Sequence, residues 1–459
     1  MALLKTISGT RGTIGGRVGE NLTAQDLVES TAAYAQWLIN NQQKPTVVVG
    51  RDGRISGELV NNLVSSTLRM MGIKVLELGL STTPTVEIAV QQENAGGGII
   101  ITASHNPKEW NALKFVNAEG EFISEAAGQE ILRLIAAQEV VYANVDKLGG
   151  TEKLVGYIQK HIQLILSLPT VKAAAIREQQ LKVVVDCINS TGAISIVPLL
   201  EQLGCEVIAI NDAVNGRFAH NPEPLPAHLG ELATVVLKNK ADLGVAVDPD
   251  VDRICFVCED GEMFGEEYTL VAVADYILKD KSGATVSNLS STQALRKIAE
   301  KRNSTYHASA VGEVHVVKKM KEVGAIIGGE GNGGIIYPAL HYGRDAMVGL
   351  ALFLSALAIY GKGAANFRRT FPNFIMVKDK IQLAAAANLD KVLMSLKNKY
   401  KNYPQNNEDG LKIFIDDNWL HLRRSNTEPI IRIYAEAETE TVARNLVNKI
   451  KADVKELLE

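Results

Sequence analysis

Residues 98–107 read GIIITASHNP, an apolar strand that ends in a polar turn, and this segment decides the fold class. In open α/β sheets, ligands bind in the crevice beyond the carboxyl ends of the strands. A serine at such an end, here Ser104, is presented to a ligand rather than buried. Serine, histidine, asparagine and proline are also common turn formers, so these residues taken alone favour an ordinary turn. Three further motifs point away from that interpretation.

A weak internal repeat places similar strands elsewhere in the chain. An apolar strand, a polar turn, a helix, a glycine and a second strand recur, in copies that begin at Thr46, Lys182 and Ala284. Strands that alternate with helices of this length predict βαβ units and mainly parallel sheets. After residue 371 the pattern changes to a helix, alternating strands and a final charged amphipathic helix. The sequence therefore predicts an α/β protein that ends in a different kind of domain.

The length of the chain fits several domains. At about 150 residues per domain, a chain of 459 residues has room for about three or four of them. We expect three related mixed-sheet α/β domains at residues 1–150, 151–259 and 260–370. A smaller C-terminal α+β domain is expected at residues 371–459.

The composition is that of an ordinary α/β protein, and it restricts the partners. Hydrophobic residues make up 46% of the chain, charged residues 22%, and the formal net charge is −4. Such a chain is not drawn to nucleic acid or to an acidic membrane surface, so we expect neither partner. No apolar run is long enough to cross a bilayer, and the first residues lack the apolar core of a signal peptide. The four cysteines are too few and too scattered for a disulfide framework. We therefore expect a cytoplasmic protein.

A cluster of carboxylates follows another apolar strand. Residues 248–253 read DPDVDR, after the strand LGVAV at 243–247. The side chains of Asp248, Asp250 and Asp252 can converge on one side of a loop, which is costly unless a cation lies between them. Oxygen ligands suit Mg²⁺ or Ca²⁺. An EF-hand is excluded because Arg253 replaces its required glycine and the flanking segments are strands. A solvated acidic turn is the alternative.

A glycine-dense loop between two short apolar strands forms the third motif. Residues 326–336 read IIGGEGNGGII, in which glycines let backbone approach a ligand closely. Glu330 and Asn332 can form hydrogen bonds with hydroxyls. The loop is neither a P-loop nor a dinucleotide-binding fingerprint, because no Gly-Lys-Ser/Thr is present and no long helix follows directly. A plain hairpin with a long tip is the alternative.

The fourth motif supplies donors for an anion. Residues 423–429 read RRSNTEP, and their guanidinium, hydroxyl and amide groups suit a phosphate dianion. A solvated polar turn is the alternative. Two further arginines are candidate substrate-binding residues: Arg11, in the turn SGTRG at 8–12, and Arg253, next to the aspartates.

With these four motifs in this order, the chain resembles the α-D-phosphohexomutase family over essentially its full length. The resemblance implies that Ser104 carries a phosphate in the resting enzyme. It also implies that Asp248, Asp250 and Asp252 hold Mg²⁺, with a phosphoserine oxygen completing the site. Glu330 and Asn332 would contact sugar hydroxyls, and Arg423, Ser425, Asn426 and Thr427 would bind the substrate phosphate. Family members place four domains around one central cleft.

The implied reaction is a reversible exchange between the 6-phospho and 1-phospho forms of a hexose. The phosphoserine gives its phosphoryl group to one hydroxyl of a phosphosugar substrate, and the other phosphate of the resulting bisphosphate returns to the serine. A hexose 1,6-bisphosphate would act as activator. Lys114 matches a family lysine near the phosphoserine and is a candidate for proton transfer, with His105 as a second candidate.

The sugar loop departs from the glucose and mannose mutases of the family. Those enzymes usually have serine and histidine where this chain has Asn332 and Gly334, and phosphomannomutases have a histidine where Glu313 stands. The VGE pattern at 311–313 is more similar to phosphoglucosamine mutases. We therefore expect conversion of glucosamine 6-phosphate to glucosamine 1-phosphate, with phosphomannomutase or phosphoglucomutase activity as the alternative.

Two other classes of protein remain as rivals. A haloacid-dehalogenase-like phosphatase would use an aspartate of the DPD sequence as nucleophile, but such enzymes place that motif on their first strand and would leave Ser104 without a role. A non-catalytic sugar-phosphate sensor would keep Arg423 and Glu330 but would need neither the serine nor the aspartates.

Overall fold

The fold was established from a computed structural model, which describes residues 3–382, 389–424 and 430–458. Within these residues the strands form four separate sheets of seven, four, four and five strands. The first three sheets are mixed and are packed with helices, and the last is antiparallel. The predicted fold class, three α/β domains and a C-terminal domain of another type, is confirmed.

The first domain is built on a sheet with the strand order β1-β2-β6-β5-β3-β4-β7. Its strands are β1 (Leu3–Thr6), β2 (Gly9–Thr13), β3 (Thr46–Arg51), β4 (Lys74–Leu80), β5 (Gly97–Ile101), β6 (Trp110–Val116) and β7 (Thr151–Lys153). Its helices are α1 (Ala24–Asn40), α2 (Gly57–Met70), α3 (Thr83–Gln92) and α4 (Glu125–Ala137). The strand β7 follows the boundary predicted at residue 150, yet it pairs with β4. Every residue of β5 is buried, as expected for a strand covered on both faces.

The second domain has the order β11-β10-β8-β9. Its strands are β8 (Lys182–Asp186), β9 (Glu206–Ile210), β10 (Leu243–Val247) and β11 (Ile254–Cys258). Its helices are α5 (Tyr157–Leu166), α6 (Ala173–Gln179), α7 (Gly192–Gln202) and α8 (Gly230–Asn239). The strands β10 and β11 are antiparallel, so the DPDVDR segment is the turn of a hairpin.

The third domain has the order β13-β12-β14-β15. Its strands are β12 (Ala284–Asn288), β13 (Thr305–Ser309), β14 (Ile327–Glu330) and β15 (Gly334–Ile336). Its helices are α9 (Glu266–Asp280), α10 (Ala294–Lys301), α11 (Glu313–Val323), α12 (Ala346–Tyr360) and α13 (Ala364–Arg368). The C-terminal sheet has the order β16-β20-β19-β18-β17 and packs against two helices. Its elements are β16 (Ile375–Gln382), α14 (Leu389–Lys399), β17 (Gln405–Asn406), β18 (Leu411–Ile415), β19 (Asn418–Arg424), β20 (Ile430–Ala437) and α15 (Glu440–Leu458).

The three α/β sheets share one topology, as the repeat predicted. In each sheet, the first strand of the repeat pairs with a parallel strand, and that strand pairs on its other side with an antiparallel one. Strand by strand, the corresponding orders are β6-β5-β3-β4, β11-β10-β8-β9 and β15-β14-β12-β13. The serine, aspartate and glycine motifs occupy the same place in the three sheets, between the parallel strand and its antiparallel neighbour. The repeat therefore fixes where each site loop leaves its sheet.

A buried polar junction around His161 and Asp345 ties the three α/β domains together, and its contact with the first domain is Thr85 Oγ1, which lies 2.9 Å from His161 Nδ1. Nearly every residue of α12 is buried, so this helix lies in the shared core of the second and third domains. Asp345 caps its N-terminus through bonds to the amides of Met347 and Val348. The other carboxylate oxygen of Asp345 accepts from His161 of α5 at 2.9 Å and from His341 at 3.3 Å.

Among the described residues, no helix combines the length and apolarity needed to span a bilayer.

Replacement of Asp345 by alanine is expected to destabilise the protein strongly. The variant leaves two buried histidines and a helix N-terminus without their carboxylate, and breaking a buried pair costs about 3–5 kcal/mol. Urea unfolding followed by circular dichroism measures the change in the free energy of unfolding. In the control Asp275→Ala, which removes the partly exposed partner of Arg302, we expect a loss of about 1 kcal/mol or less. Equal losses in the two variants would contradict a special role for the junction.

Candidate active site

Hydrogen bonds to its backbone groups fix the conformation of the loop that carries Ser104. Ser104 follows β5 with a left-handed φ of +48°, a conformation that is strained for any residue but glycine. Its amide donates to Thr102 Oγ1 at 2.9 Å. The guanidinium of Arg54 donates to the carbonyls of Ser104, Asn106, Pro107 and Trp110. Since Arg54 is itself buried and paired with Asp52 at 3.0 Å, the turn that follows Ser104 is fixed from below.

The hydroxyl of Ser104 points at the aspartate loop of the second domain. Ser104 Oγ donates to Asp248 Oδ2 at 2.7 Å, and the serine is only 3% exposed. The other oxygen of Asp248 accepts from the amides of Asp252 and Arg253 at 3.1 Å each, which closes the loop. Ligand oxygens of Asp248, Asp250 and Asp252 all lie within 4.8 Å of one another. The three carboxylates therefore lie together at one loop, and one of them contacts Ser104.

Cations from two other domains partly neutralise the aspartates. Lys114 Nζ lies 2.7 Å from Asp250 and 3.6 Å from Asp252, and Arg344 Nη2 donates to Asp252 at 2.7 Å. Burial raises the pKa of Asp248 well above its ordinary value, and the other two aspartates raise it further. Burial acts on Asp250 and Asp252 as well, but Lys114 overcomes it and lowers the pKa of Asp250, and Arg344 together with Lys114 lowers the pKa of Asp252. The site therefore keeps two ionised carboxylates beside one whose charge lacks a partner.

The aspartate loop fits a divalent cation. Asp250 Oδ1 and Asp252 Oδ1 are buried and accept no hydrogen bond from any described residue. Asp248 offers a further oxygen, which the hydroxyl of Ser104 contacts. Buried carboxylate oxygens without donors are costly, and a hard cation that prefers oxygen ligands satisfies them. The three aspartates would be its protein ligands.

The sugar loop meets the aspartate loop through an arginine that the sequence did not reveal. Arg344 donates to Glu330 at 2.8 Å, to Glu313 at 2.9 Å and to Asp252 at 2.7 Å. A lone arginine before an apolar helix gave no signal, because its three partners are distant in sequence. Gly333 also touches the aspartate hairpin: its carbonyl accepts from Ile254, and at φ +86° a Cβ would lie 2.3 Å from the Ile254 oxygen.

The two predicted sugar contacts differ in how far the protein already uses them. Glu330 is buried and also accepts from Asn288 Nδ2 at 2.7 Å and from the amide of Gly312 at 3.1 Å. Asn332 is half-buried, and its Oδ1 accepts from the amide of Gly334 at 3.2 Å. The carboxylate of Glu330 is thus rigidly oriented, whereas the amide nitrogen of Asn332 remains available for a ligand.

Three basic side chains, those of His105, Arg11 and Arg253, lie near the loop that carries Ser104. His105 Nδ1 lies 3.3 Å from Ser104 Oγ, and Arg11 donates to Asn106 at 2.9 Å. Burial lowers the pKa of His105 well below its ordinary value, and the charges of Arg253 and Arg11 lower it further. The histidine is therefore neutral near pH 7, while the arginines give the approach to Ser104 a positive potential suited to a phosphate.

The predicted phosphate loop is only partly described. Arg423 lies near the end of β19 and is half-buried, and within the described residues it makes no contact with Ser104 or the aspartates. Ser425, Asn426 and Thr427 lie outside the described residues. The structure thus brings together Ser104, His105, Lys114, Arg11, Arg253 and the three aspartates, with Glu330 joined to them through Arg344.

Four domain families match the chain in order. The α/β/α domains I, II and III of phosphoglucomutase/phosphomannomutase match residues 5–141, 157–261 and 265–374, and the C-terminal domain of the same enzymes matches residues 375–452. The chain belongs to the phosphoglucomutase/phosphomannomutase family. The resemblance inferred from the four motifs is confirmed.

Relatives of this family member match it over nearly their full length. The "Phosphoglucomutase/phosphomannomutase" of Thermococcus kodakarensis is 32% identical, with 94% of this chain and 95% of the relative covered. The "Probable phosphoglucosamine mutase" of Methanopyrus kandleri is also 32% identical, with 98% of each chain covered. The "Phosphoglucosamine/phosphogalactosamine mutase" of Sulfurisphaera tokodaii is 32% identical, with 96% of this chain and 98% of the relative covered.

Solved structures share the fold of the family. A phosphoglucomutase/phosphomannomutase family protein from Burkholderia thailandensis superposes with a TM-score of 0.84 at 23% identity, and the match covers 98% of this chain and 96% of that one. The protein is therefore a phosphosugar mutase, an isomerase that transfers a phosphate group within its substrate. This assignment decides against the phosphatase and the sensor.

Divalent cations are expected to stabilise the protein through the aspartate loop. A cation at about a hundred times its Kd adds about 2.7 kcal/mol to the free energy of unfolding, so Mg²⁺ or Mn²⁺ should raise the thermal midpoint. Asp248→Asn should abolish this rise, whereas Asp260→Asn, in the exposed turn that follows β11, should retain it. A rise that survives in Asp248→Asn would place the cation elsewhere.

Proposed function

We propose that this mutase interconverts glucosamine 6-phosphate and glucosamine 1-phosphate through a phosphoserine at Ser104 and a 1,6-bisphosphate intermediate. The observation that carries the proposal is the position of the Ser104 hydroxyl, 2.7 Å from Asp248 in a buried loop of three aspartates. A serine oxygen held this rigidly is suited to give and receive a phosphoryl group in line, because positioning supplies much of the rate in such transfers.

The residues around the serine divide the work of phosphoryl transfer. In the forward half-reaction, the bond from phosphorus to Ser104 Oγ breaks and a bond to a sugar hydroxyl forms. The guanidiniums of Arg11 and Arg253 offset charge on the transferring group. When bound, Mg²⁺ on Asp248, Asp250 and Asp252 neutralises that group further. In the return half-reaction, the bond from phosphorus to the other sugar oxygen breaks and a bond to Ser104 Oγ forms. The Ser104 hydroxyl loses its proton, and the released sugar oxygen gains one.

Two side chains are placed for the protons. His105 Nδ1 lies 3.3 Å from Ser104 Oγ and is the candidate that accepts the serine proton once a cation occupies Asp248, the present acceptor of that proton. Lys114 is bound to Asp250 beside the reacting group and is the candidate that donates to, or accepts from, the sugar oxygen. Asn332 and Glu330 would orient the hydroxyls, and Arg423, Ser425, Asn426 and Thr427 would hold the second phosphate. A hexose 1,6-bisphosphate would activate the enzyme by phosphorylating Ser104.

The charge around the sugar loop supports an amino sugar. Glu313 and Glu330 share the guanidinium of Arg344, which also contacts Asp252, so the two glutamates beside the sugar loop carry more negative charge than this cation offsets. An ammonium group at carbon 2 of glucosamine complements that excess, whereas a neutral hydroxyl does not. The names of the Methanopyrus kandleri and Sulfurisphaera tokodaii relatives favour the same substrate. The Thermococcus kodakarensis relative favours glucose or mannose phosphates as the alternative.

Because all four cysteines are free, we place the reaction in the reducing cytoplasm.

Replacement of Ser104 by alanine should reduce mutase activity by at least about a thousandfold, as removal of a nucleophile does in other enzymes. Intact-mass measurement after incubation with glucose 1,6-bisphosphate should show one added phosphoryl group in the wild type and none in Ser104→Ala. Ser282→Ala, at an exposed serine of the third domain, serves as the control and should behave as the wild type. Full activity without any label at Ser104 would overturn the mechanism.

A panel of hexose 6-phosphates should show the highest kcat/KM with glucosamine 6-phosphate. In Glu313→Gln, the preference for glucosamine 6-phosphate over glucose 6-phosphate should fall by about tenfold, because one unit of the complementary charge is lost. A coupled assay of each 1-phosphate product measures both ratios. Higher kcat/KM with glucose or mannose 6-phosphate would establish the alternative activity, and an unchanged ratio in Glu313→Gln would reject the charge argument.

A further inference from the structure

A loop of the third domain lies between the sugar loop and the C-terminal domain. Residues 288–293, NLSSTQ, connect β12 to α10 and are all buried. On the side of the sugar loop, Asn288 Nδ2 donates to Glu330 Oε1 at 2.7 Å, and Ser291 Oγ accepts from the amide of Gly331 at 2.9 Å. The 288–293 loop therefore sets the position of both the carboxylate and the backbone of the sugar loop.

The C-terminal domain grips the other side of the same loop. Lys412 of β18 donates to the carbonyl of Leu289 at 2.6 Å, and His421 of β19 lies 3.0 Å from Ser290 Oγ. Glu436 of β20 accepts from the amide of Gln293 at 2.9 Å. Three neighbouring strands of the C-terminal domain thus each contribute one polar side chain to a loop of six residues, and these contacts fix the loop to that domain.

Lys412 is the least expected of these groups, because a lysine is rarely buried. It is 5% exposed, and its Nζ lies 3.7 Å from the centre of the Trp419 ring. Burial lowers its pKa to about 7 despite the nearby Glu436. A neutral amine still donates hydrogen bonds, so the bond to Leu289 persists on both sides of that pKa. What the position requires is a donor that reaches the Leu289 carbonyl.

We propose that Lys412 is a positioning residue for the sugar loop. Its amine fixes the carbonyl of Leu289, the 288–293 loop is thereby held, and Glu330 and Gly331 keep the geometry that the sugar requires. This rests on the proposed function in that Glu330 contacts the substrate. The C-terminal domain accordingly contributes to sugar recognition through the 288–293 loop.

The variant Lys412→Met tests the proposal, since methionine keeps the apolar stem and removes the donor. Loss of this bond should raise KM for the preferred hexose 6-phosphate by about tenfold, with kcat changed by less than about threefold. Amide hydrogen exchange in residues 328–334 should accelerate. Lys399→Met is the control: that lysine pairs with Asp453 and Glu456 within the C-terminal domain and should leave both readouts unchanged.

A second variant, Ser291→Ala, tests the path from the other end. It removes the acceptor of the Gly331 amide, so it should give the same two changes. If both residues act through one loop, the double variant should raise KM by clearly less than the product of the single effects. Effects that multiply, or exchange that accelerates only within the C-terminal domain, would overturn the proposal. If K412M does not fold, K412Q carries the same readouts.

Failure of the proposed function remains distinguishable from failure of this inference. If the wild type converts no hexose phosphate, the function is wrong, yet hydrogen exchange in residues 328–334 still reports whether Lys412 holds the sugar loop. Normal turnover by the wild type together with unchanged exchange and unchanged KM in K412M would reject the positioning role alone.

Discussion

Three buried carboxylates at one loop are the constraint on which the rest of this structure depends. Asp248, Asp250 and Asp252 would repel one another and prevent burial if they stood alone. The molecule answers with Lys114 from the first domain and Arg344 from the third, so the charge balance of one loop requires three domains. Backbone groups support the same loop: the carbonyl of Asp250 accepts from Thr83, and the carbonyl of Val251 accepts from Ala346. The contacts that neutralise the aspartates are therefore also contacts that hold the three α/β domains together.

The motifs that could be predicted from sequence are those whose meaning is local. Ser104 was identifiable because an apolar strand ends just before it, and the aspartates because their alternation directs them to one side. The three α/β repeats could be recognised for the same reason, because the hydrophobic pattern within each segment predicts whether it is a strand or a helix. Their shared strand order could not be predicted in the same way, because the handedness of βαβ units leaves the order of the strands open. The domain boundaries drawn from the sequence remain predictions, and β7 shows how a strand beyond a turn can rejoin an earlier sheet.

The residues that sequence reasoning missed act through distant partners. Arg344 reaches Asp252, and Lys412 reaches Leu289, across separations of 92 and 123 residues. Neither residue lies in a motif, and an isolated arginine or lysine is usually a solvated surface group. Only the tertiary fold shows that both are buried and fully engaged. The same holds for Asp345, whose helix cap is local but whose bond to His161 is not. Long-range polar pairing is thus the information that one sequence withholds.

The common strand order of the three α/β sheets has a consequence for how such a site diversifies. Each functional loop is a connection at the edge of an otherwise conventional layer, so residues in one connection can be exchanged while the strands on either side keep their register. The serine, the three aspartates and the glycine-dense loop consequently lie on three separate connections of one repeated scaffold. A substitution within one connection can therefore leave in place the strands that carry the other two.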